Sequence, residues 1–174
     1  PMSRLLQGEV GSGKTVIAAT ALLTAVANGY QGALMAPTEI LAEQHFRTIH
    51  NVLCRSCEVQ ETDDNIHVYR GILPSPLTIA LLIGDIKGSA KRSLQKRIES
   101  GEIDIVIGTH RLLQKDVVFR NLGLVIIDEE QWFGVKHKER LKELRTQVDV
   151  LTLTATPIPR TLQMAMASVR DLSI

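Results

Sequence analysis

Short, near-continuous runs of Val, Ile, Leu and Ala alternate along the chain with longer segments in which apolar residues recur at helical spacing. The runs fall at 3–7, 33–36, 78–83, 103–107, 124–127 and 148–154, and each predicts a β-strand. They lack the alternating polar face of a half-exposed strand, so both sides of each strand are expected to be buried. That is the pattern of a mainly parallel sheet flanked by helices on both faces, hence an α/β fold. The first helix is predicted over 16–28, alanine- and leucine-rich and stopped by Gly29. One stretch breaks the rhythm. From 54 to 76 no period is sustained, an acidic and polar run fills 58–65, and Pro74-Ser75-Pro76 closes it. It reads as a surface insertion between a helix and the strand at 78, serving either as a mobile loop or as a binding one.

Polar residues gather where the apolar runs stop: Gly8, Pro37-Thr38, Gly84-Asp85, Gly108-Thr109-His110, Asp128-Glu129 and Thr154-Ala155-Thr156. In open α/β sheets ligands bind beyond the carboxyl ends of the strands, so these positions are the candidate site. The first of them is specific. Gly8-Glu9-Val10-Gly11-Ser12-Gly13-Lys14-Thr15 fits G-x-x-x-x-G-K-[ST] and stands between a strand and a helix. The glycines free this loop to wrap its backbone N–H groups around phosphate. Lys14 would reach the terminal phosphates, and the Thr15 hydroxyl would ligate Mg²⁺. A dinucleotide fingerprint is excluded, because Val16 stands where that pattern needs glycine or alanine. The strand at 124–127 then delivers two acids. In a nucleotide site Asp128 would anchor Mg²⁺ and Glu129 would polarise the attacking water. Alone, such a pair is an ordinary solvated turn; in one sheet with a phosphate loop it completes a site.

Composition narrows the classes. The 174 residues, 44% hydrophobic, suit one domain (1–174) able to bury roughly 70% of its unfolded surface. With 20 basic and 19 acidic residues the net charge is +1, so nucleic-acid binding would require a local patch. Lys87, Lys91, Arg92, Lys96 and Arg97 offer one, or else a solvated helix face, whereas 136–145 mixes both charge signs as an exposed, self-compensated helix does. Aromatic residues are 3%, too few to suggest a platform for single-stranded bases. Cys54 and Cys57, with His50 and His67, could hold zinc, but one C-x-x-C pair without paired histidines favours free thiols. Two cysteines and no apolar run near the roughly 18 residues that span a bilayer fit a cytoplasmic protein without a membrane partner.

Taken in order, the phosphate loop, Ala36-Pro37-Thr38, Gly108-Thr109-His110, Asp128-Glu129-Glu130-Gln131 and Thr154-Ala155-Thr156 resemble motifs I, Ia, Ib, II and III of superfamily 2 helicases. The segment 154–161 resembles the double-stranded-DNA translocase branch shared by RecG-type helicases and the transcription-repair coupling factor. The front, 4–8 with the nucleotide loop and the segment 34–45, looks like RecG; the rear, 128–131, 133–140 and 148–174, looks more like the coupling factor. On the strength of the loop and the following motif the chain is assigned to the RecG type, with the coupling factor as the alternative. A nucleotide-responsive DNA- or polymerase-binding module without activity is the alternative of another class. Trp132 departs from both families, which usually carry arginine there; packing on a neighbouring domain is another use for it.

The resemblance implies a RecA-like P-loop NTPase domain using ATP and Mg²⁺, with Lys14, Asp128, Glu129 and Gln131 catalytic. It further implies DNA contacts from Pro37, Thr38, Gly108, Thr109, His110 and Arg111, chiefly to phosphates. Gln131 would connect hydrolysis to a coupling motif at Thr154, Ala155 and Thr156. Duplex or branched DNA would be the partner, along with a second RecA-like domain absent from these residues, and RNA polymerase if the chain is a coupling factor. The chain is accordingly expected to be a fragment with weak activity of its own. No guanine-reading Asn-Lys-x-Asp and no transporter signature is present.

Overall fold

The computed structural model describes residues 2–8, 13–63, 65–84, 86–155 and 171–173. Strand β1 (Ser3–Gln7) leads to α1 (Lys14–Ala27), then β2 (Gln31–Met35) and α2 (Glu39–Leu53). A pair β3 (Glu58–Asp63) and β4 (Ile66–Arg70) follows, then β5 (Leu77–Leu82), α3 (Gly88–Glu99), β6 (Ile105–Gly108) and β7 (Leu122–Asp128). The last elements are α4 (Val135–Leu144), β8 (Asp149–Thr154) and β9 (Asp171–Ser173). Among the described residues these strands form one sheet in the order β3-β4-β5-β6-β2-β7-β8-β1-β9, parallel from β5 to β9. This is the α/β architecture with a mainly parallel sheet that the apolar runs predict, and the RecA-like arrangement that the resemblance implies.

Each central strand feeds two cores, because successive side chains point to opposite faces. Leu34, Ile107, Ile126 and Leu153 pack with Ala18, Ala19 and Leu22 of α1 and Ala42, Phe46 and Ile49 of α2. Ala33, Met35, Val106, Val125, Ile127 and Val150 pack on the other side with Leu94 and Ile98 of α3 and Leu141 of α4. The helix α1 ends where predicted: Gly29 takes φ +88, a conformation glycine adopts without steric cost.

The stretch 54–76 is not a structureless loop. Glu58–Asp63 and Ile66–Arg70 pair antiparallel, and β4 pairs antiparallel with β5, so the insertion extends the sheet edge. The polar run hid this because an edge strand needs no continuous apolar side; the signal lay in Ile66, Val68 and Tyr69, which face or flank the core.

Strand register positions the site. Met35 pairs with Ile127 and Gly108, Leu82 with Gly108, Asp128 with Leu153, and Gln7 with Thr154. Six parallel strands therefore end on one edge, and the described residues of each polar cluster at a predicted strand end lie along it.

Gly108 is the tightest point on that edge. A Cβ there would run into the backbone carbonyl oxygen of Leu82 and crowd Leu112. Gly108→Ala is expected to destabilise the chain by about 1–3 kcal/mol through overpacking. Gly88→Ala, whose Cβ meets nothing within 4 Å, should be neutral or mildly stabilising. Chemical denaturation of the two variants checks the contrast.

Candidate active site

Gly8 continues β1 by donating its N–H to the Thr154 carbonyl oxygen at 3.0 Å. The chain re-enters at Gly13, with φ +87 and nothing near its missing Cβ, and turns directly into α1. Glu9, Val10, Gly11 and Ser12 of the loop motif lie outside the described residues. Among the described residues no side chain caps α1, and no acid sits in its first turn; the leading N–H groups of a helix suit an anion. Lys14 and Thr15 open the helix. The Lys14 ammonium has no carboxylate partner among the described residues and stands at the positive end of a helix.

Two strands away, about 10 Å across the sheet by ordinary strand spacing, Asp128 ends β7. It is buried, and its Oδ2 accepts a hydrogen bond from His45 Nε2 at 2.8 Å, with the two side chains 13% and 12% exposed. No described residue donates to its second oxygen. Asp128 and the Thr15 hydroxyl supply hard oxygen donors of the kind Mg²⁺ prefers, together with phosphate, so the residues present fit the ion.

Glu129 leaves the strand in the left-handed region at φ +51, uncommon for a residue with a side chain. Its N–H still donates to Leu153 O at 2.9 Å, so the turn begins one residue beyond the ladder. The carboxylate then folds over the end of β8. Oε1 accepts from Ala155 N at 2.8 Å, and Oε2 accepts from Thr154 Oγ1 at 3.1 Å and from the Gln131 amide. Glu129, Gln131, Thr154 and Ala155 are thus one hydrogen-bonded group; Thr156 and the segment 157–161 lie outside the described residues. Glu130 turns the other way. Both its oxygens accept from Arg145 Nη2, at 2.8 and 2.7 Å, with side chains only 14% and 17% exposed.

That pair corrects one sequence expectation. Arg140 and Glu143 do compensate each other along α4 at 2.9 Å, but Arg145 just beyond the helix is committed to the acidic turn. Charge interleaving revealed the first and could not reveal the second, which spans fifteen residues. His45 was likewise hidden. Its only signal is a polar residue flanking the buried stripe of Ala42, Phe46 and Ile49 on α2.

Farther along the edge, the Thr38 hydroxyl caps α2 by accepting from Leu41 N at 3.2 Å, and Thr109 Oγ1 accepts from Arg111 N at 3.5 Å. Glu39 Oε1 accepts from Gly84 N at 2.8 Å, joining α2 to the chain just after β5; Asp85 lies outside the described residues. Pro37, Thr38, Gly108, Thr109, His110 and Arg111 therefore share one rim. In the neighbouring basic helix α3, Lys91 pairs with Asp116 at 3.6 Å and Arg97 with Glu102 at 3.1 Å, while Lys87, Arg92 and Lys96 stay exposed. Trp132 is 74% exposed beside the acidic turn, with Val135 close behind it in sequence and equally open.

The zinc option finds no support. His50 Nδ1 and His67 Nδ1 both hydrogen-bond the Tyr69 hydroxyl, at 2.9 and 3.1 Å, and His67 stacks on Phe46. Burial, then the neighbouring Cys54, pushes the Cys57 thiol up from its ordinary value, against the thiolate that metal would need. Among the described residues no group of three or more His, Cys, Asp or Glu is placed to hold a metal. No helix among them is long and apolar enough to cross a membrane.

A family model described as DEAD/DEAH box helicase matches residues 2–165. Over all 174 residues the chain is 49% identical to a Bacillus subtilis (strain 168) protein named transcription-repair-coupling factor. It is 47% identical to the Staphylococcus haemolyticus (strain JCSC1435) protein of the same name. It spans only 13% of the length of each. Among solved structures, RecG bound to a three-way DNA junction aligns over 99% of this chain and 20% of that one, with TM-score 0.73 and 41% identity. A DEAD box protein from Methanococcus jannaschii shares the fold, with TM-score 0.62 at 18% identity over 99% of this chain and 44% of that one.

His110 on the rim stacks on His137 with ring centroids 4.4 Å apart. Burial, then His137 and Arg111, hold its pKa below the ordinary 6.5, so near neutral pH the rim's positive charge there resides on Arg111. His137→Gln removes the second cause and leaves the first, so the His110 pKa should rise only part of the way back towards 6.5. An NMR titration of the imidazole resonances checks this; an unmoved His110 would contradict it.

Proposed function

From a chain that belongs to the DEAD/DEAH box helicase family as a superfamily 2 motor domain, we propose the first RecA-like domain of an ATP-dependent double-stranded-DNA translocase. What carries the reading is the pairing of Lys14, which meets no described carboxylate at the start of α1, with a buried Asp128 whose second oxygen receives no hydrogen bond from a described residue. Asp128 ends β7 and Lys14 opens the helix that follows β1, and those two strands flank β8 in one parallel register. ATP phosphates would lie against the loop that includes Gly8, Glu9, Val10, Gly11, Ser12 and Gly13, with Lys14 on the terminal phosphates. Thr15 and Asp128 would hold Mg²⁺. The ion, when bound, neutralises charge on the β- and γ-phosphate oxygens.

Glu129 would orient the attacking water and accept its proton on a carboxylate oxygen. Gln131, Thr154 and Ala155 fix where that carboxylate points, and so make its position depend on the end of β8. In a two-domain motor this is how the state of the nucleotide would reach the rest of the machine. Pro37, Thr38, Gly108, Thr109, His110 and Arg111 would face the DNA phosphate backbone. The Arg111 guanidinium would be a sequence-insensitive donor to those phosphates. A second RecA-like domain would complete the site.

Within the branch, the loop and the segment 34–45 favour the RecG type, acting at branched DNA. The 49% identity to a coupling factor against 41% to RecG runs over the whole chain and supports the coupling-factor reading more strongly. RNA polymerase would then be a further partner.

Four measurements on the full-length protein test the reading. Lys14→Ala should abolish ATP binding. Glu129→Gln should keep ATP binding while turnover falls by about 10²–10⁴-fold, the range for losing a general base. Duplex or forked DNA should stimulate hydrolysis. An ATPase rate indifferent to DNA would overturn the translocase proposal, and displacement of a stalled RNA polymerase would select the coupling-factor branch.

A further inference from the structure

The bond between His45 and Asp128 crosses from α2 to the end of β7 and serves no evident need of the fold. The helix is already held without it. Ala42, Phe46, Ile49 and Leu53 are buried in the core, Thr38 caps the helix, and Glu39 ties it to Gly84. Nor does the bond satisfy the carboxylate, because it occupies Oδ2 alone and Oδ1 receives nothing from any described residue. At 2.8 Å, with both side chains nearly nine-tenths covered, it is a well-formed and largely dehydrated hydrogen bond. A carboxylate is acceptor-only when ionised, so His45 Nε2 is the donor.

A lone carboxylate at a strand end can rotate about χ2 and offer either oxygen. Fixing one oxygen to a residue anchored in a packed helix removes that freedom and leaves the other in a set direction. Partners of this kind around metal ligands orient the first shell, and their removal costs about 10–100-fold in metal affinity or activity.

We propose that His45 is a positioning residue for the metal-binding carboxylate: by holding Asp128 Oδ2 it presents Oδ1 to Mg²⁺. This rests on the assignment of Asp128 as the Mg²⁺ carboxylate made above. His45 itself touches neither nucleotide nor ion. Its contribution is to the geometry of Asp128, and through α2 that geometry is joined to the helix whose first turn follows Pro37-Thr38.

The test is an equilibrium one, on the full-length protein with a fluorescent ADP analogue titrated with Mg²⁺. For His45→Ala, the Mg²⁺ concentration giving half the effect on ADP affinity should rise by about 10-fold or more, while ADP affinity in EDTA stays at the parent value. His45→Gln, whose amide can still donate, should lie within about threefold of the parent. A His45→Ala protein with an unmoved Mg²⁺ midpoint, beside an Asp128→Asn protein that has lost its Mg²⁺ response, would overturn the proposal and leave the Asp128 assignment standing. Asp128→Asn with an intact Mg²⁺ response would overturn both. An equal loss of ADP affinity in EDTA for His45→Ala and His45→Gln would assign His45 to packing and refute the proposal as well.

Discussion

The parallel pairing of β7 with β8 is the contact on which the site depends. With Asp128 opposite Leu153, the next N–H along β7, that of Glu129, still finds the Leu153 carbonyl. Only then does the chain turn, through a φ of +51. A side-chain-bearing residue in that region costs on the order of 1–3 kcal/mol and persists only where its surroundings impose it. Here they do, through the Leu153 carbonyl behind it and the Thr154, Ala155 and Gln131 donors ahead of it. A slip of one residue in the β7–β8 register would send every side chain of β7 to the wrong face and scatter these donors.

Strand β8 also lies between the two halves of the site. On one side Gln7 pairs with Thr154 and Gly8 donates to its carbonyl, which leads the chain towards α1. On the other side the Thr154 hydroxyl holds Glu129. One threonine thus touches both the strand that feeds the phosphate loop and the acid proposed to activate water. In the proposed motor, small displacements at the end of β8 would be felt at both places, whereas Asp128 is held from the opposite direction by α2 through His45.

Much of this was legible in the sequence, for a definable reason. Strands buried on both faces must be continuously apolar, so 33–36, 103–107 and 124–127 announced themselves. Polar residues gathered at the ends of several such strands mark the carboxyl edge, where open α/β sheets bind their ligands. The edge hairpin at 58–70 was obscured because its strands are largely polar and only Ile66, His67 and Tyr69 are buried in β4. The His45–Asp128 and Glu130–Arg145 contacts were obscured for a different reason. They join residues 83 and 15 positions apart, and helical or strand periodicity carries no information at such separations. The acid pair itself was readable; what holds each acid in place was not, because it depends on tertiary packing.

The most direct measurement is a crystal structure of the full-length protein with Mg²⁺ and a non-hydrolysable ATP analogue. The account predicts the β- and γ-phosphates against the start of α1 with Lys14 in contact, Mg²⁺ held by Thr15 and Asp128, and a water within hydrogen-bond reach of Glu129. A nucleotide seated elsewhere, or a metal ion that ignores Asp128, would contradict it.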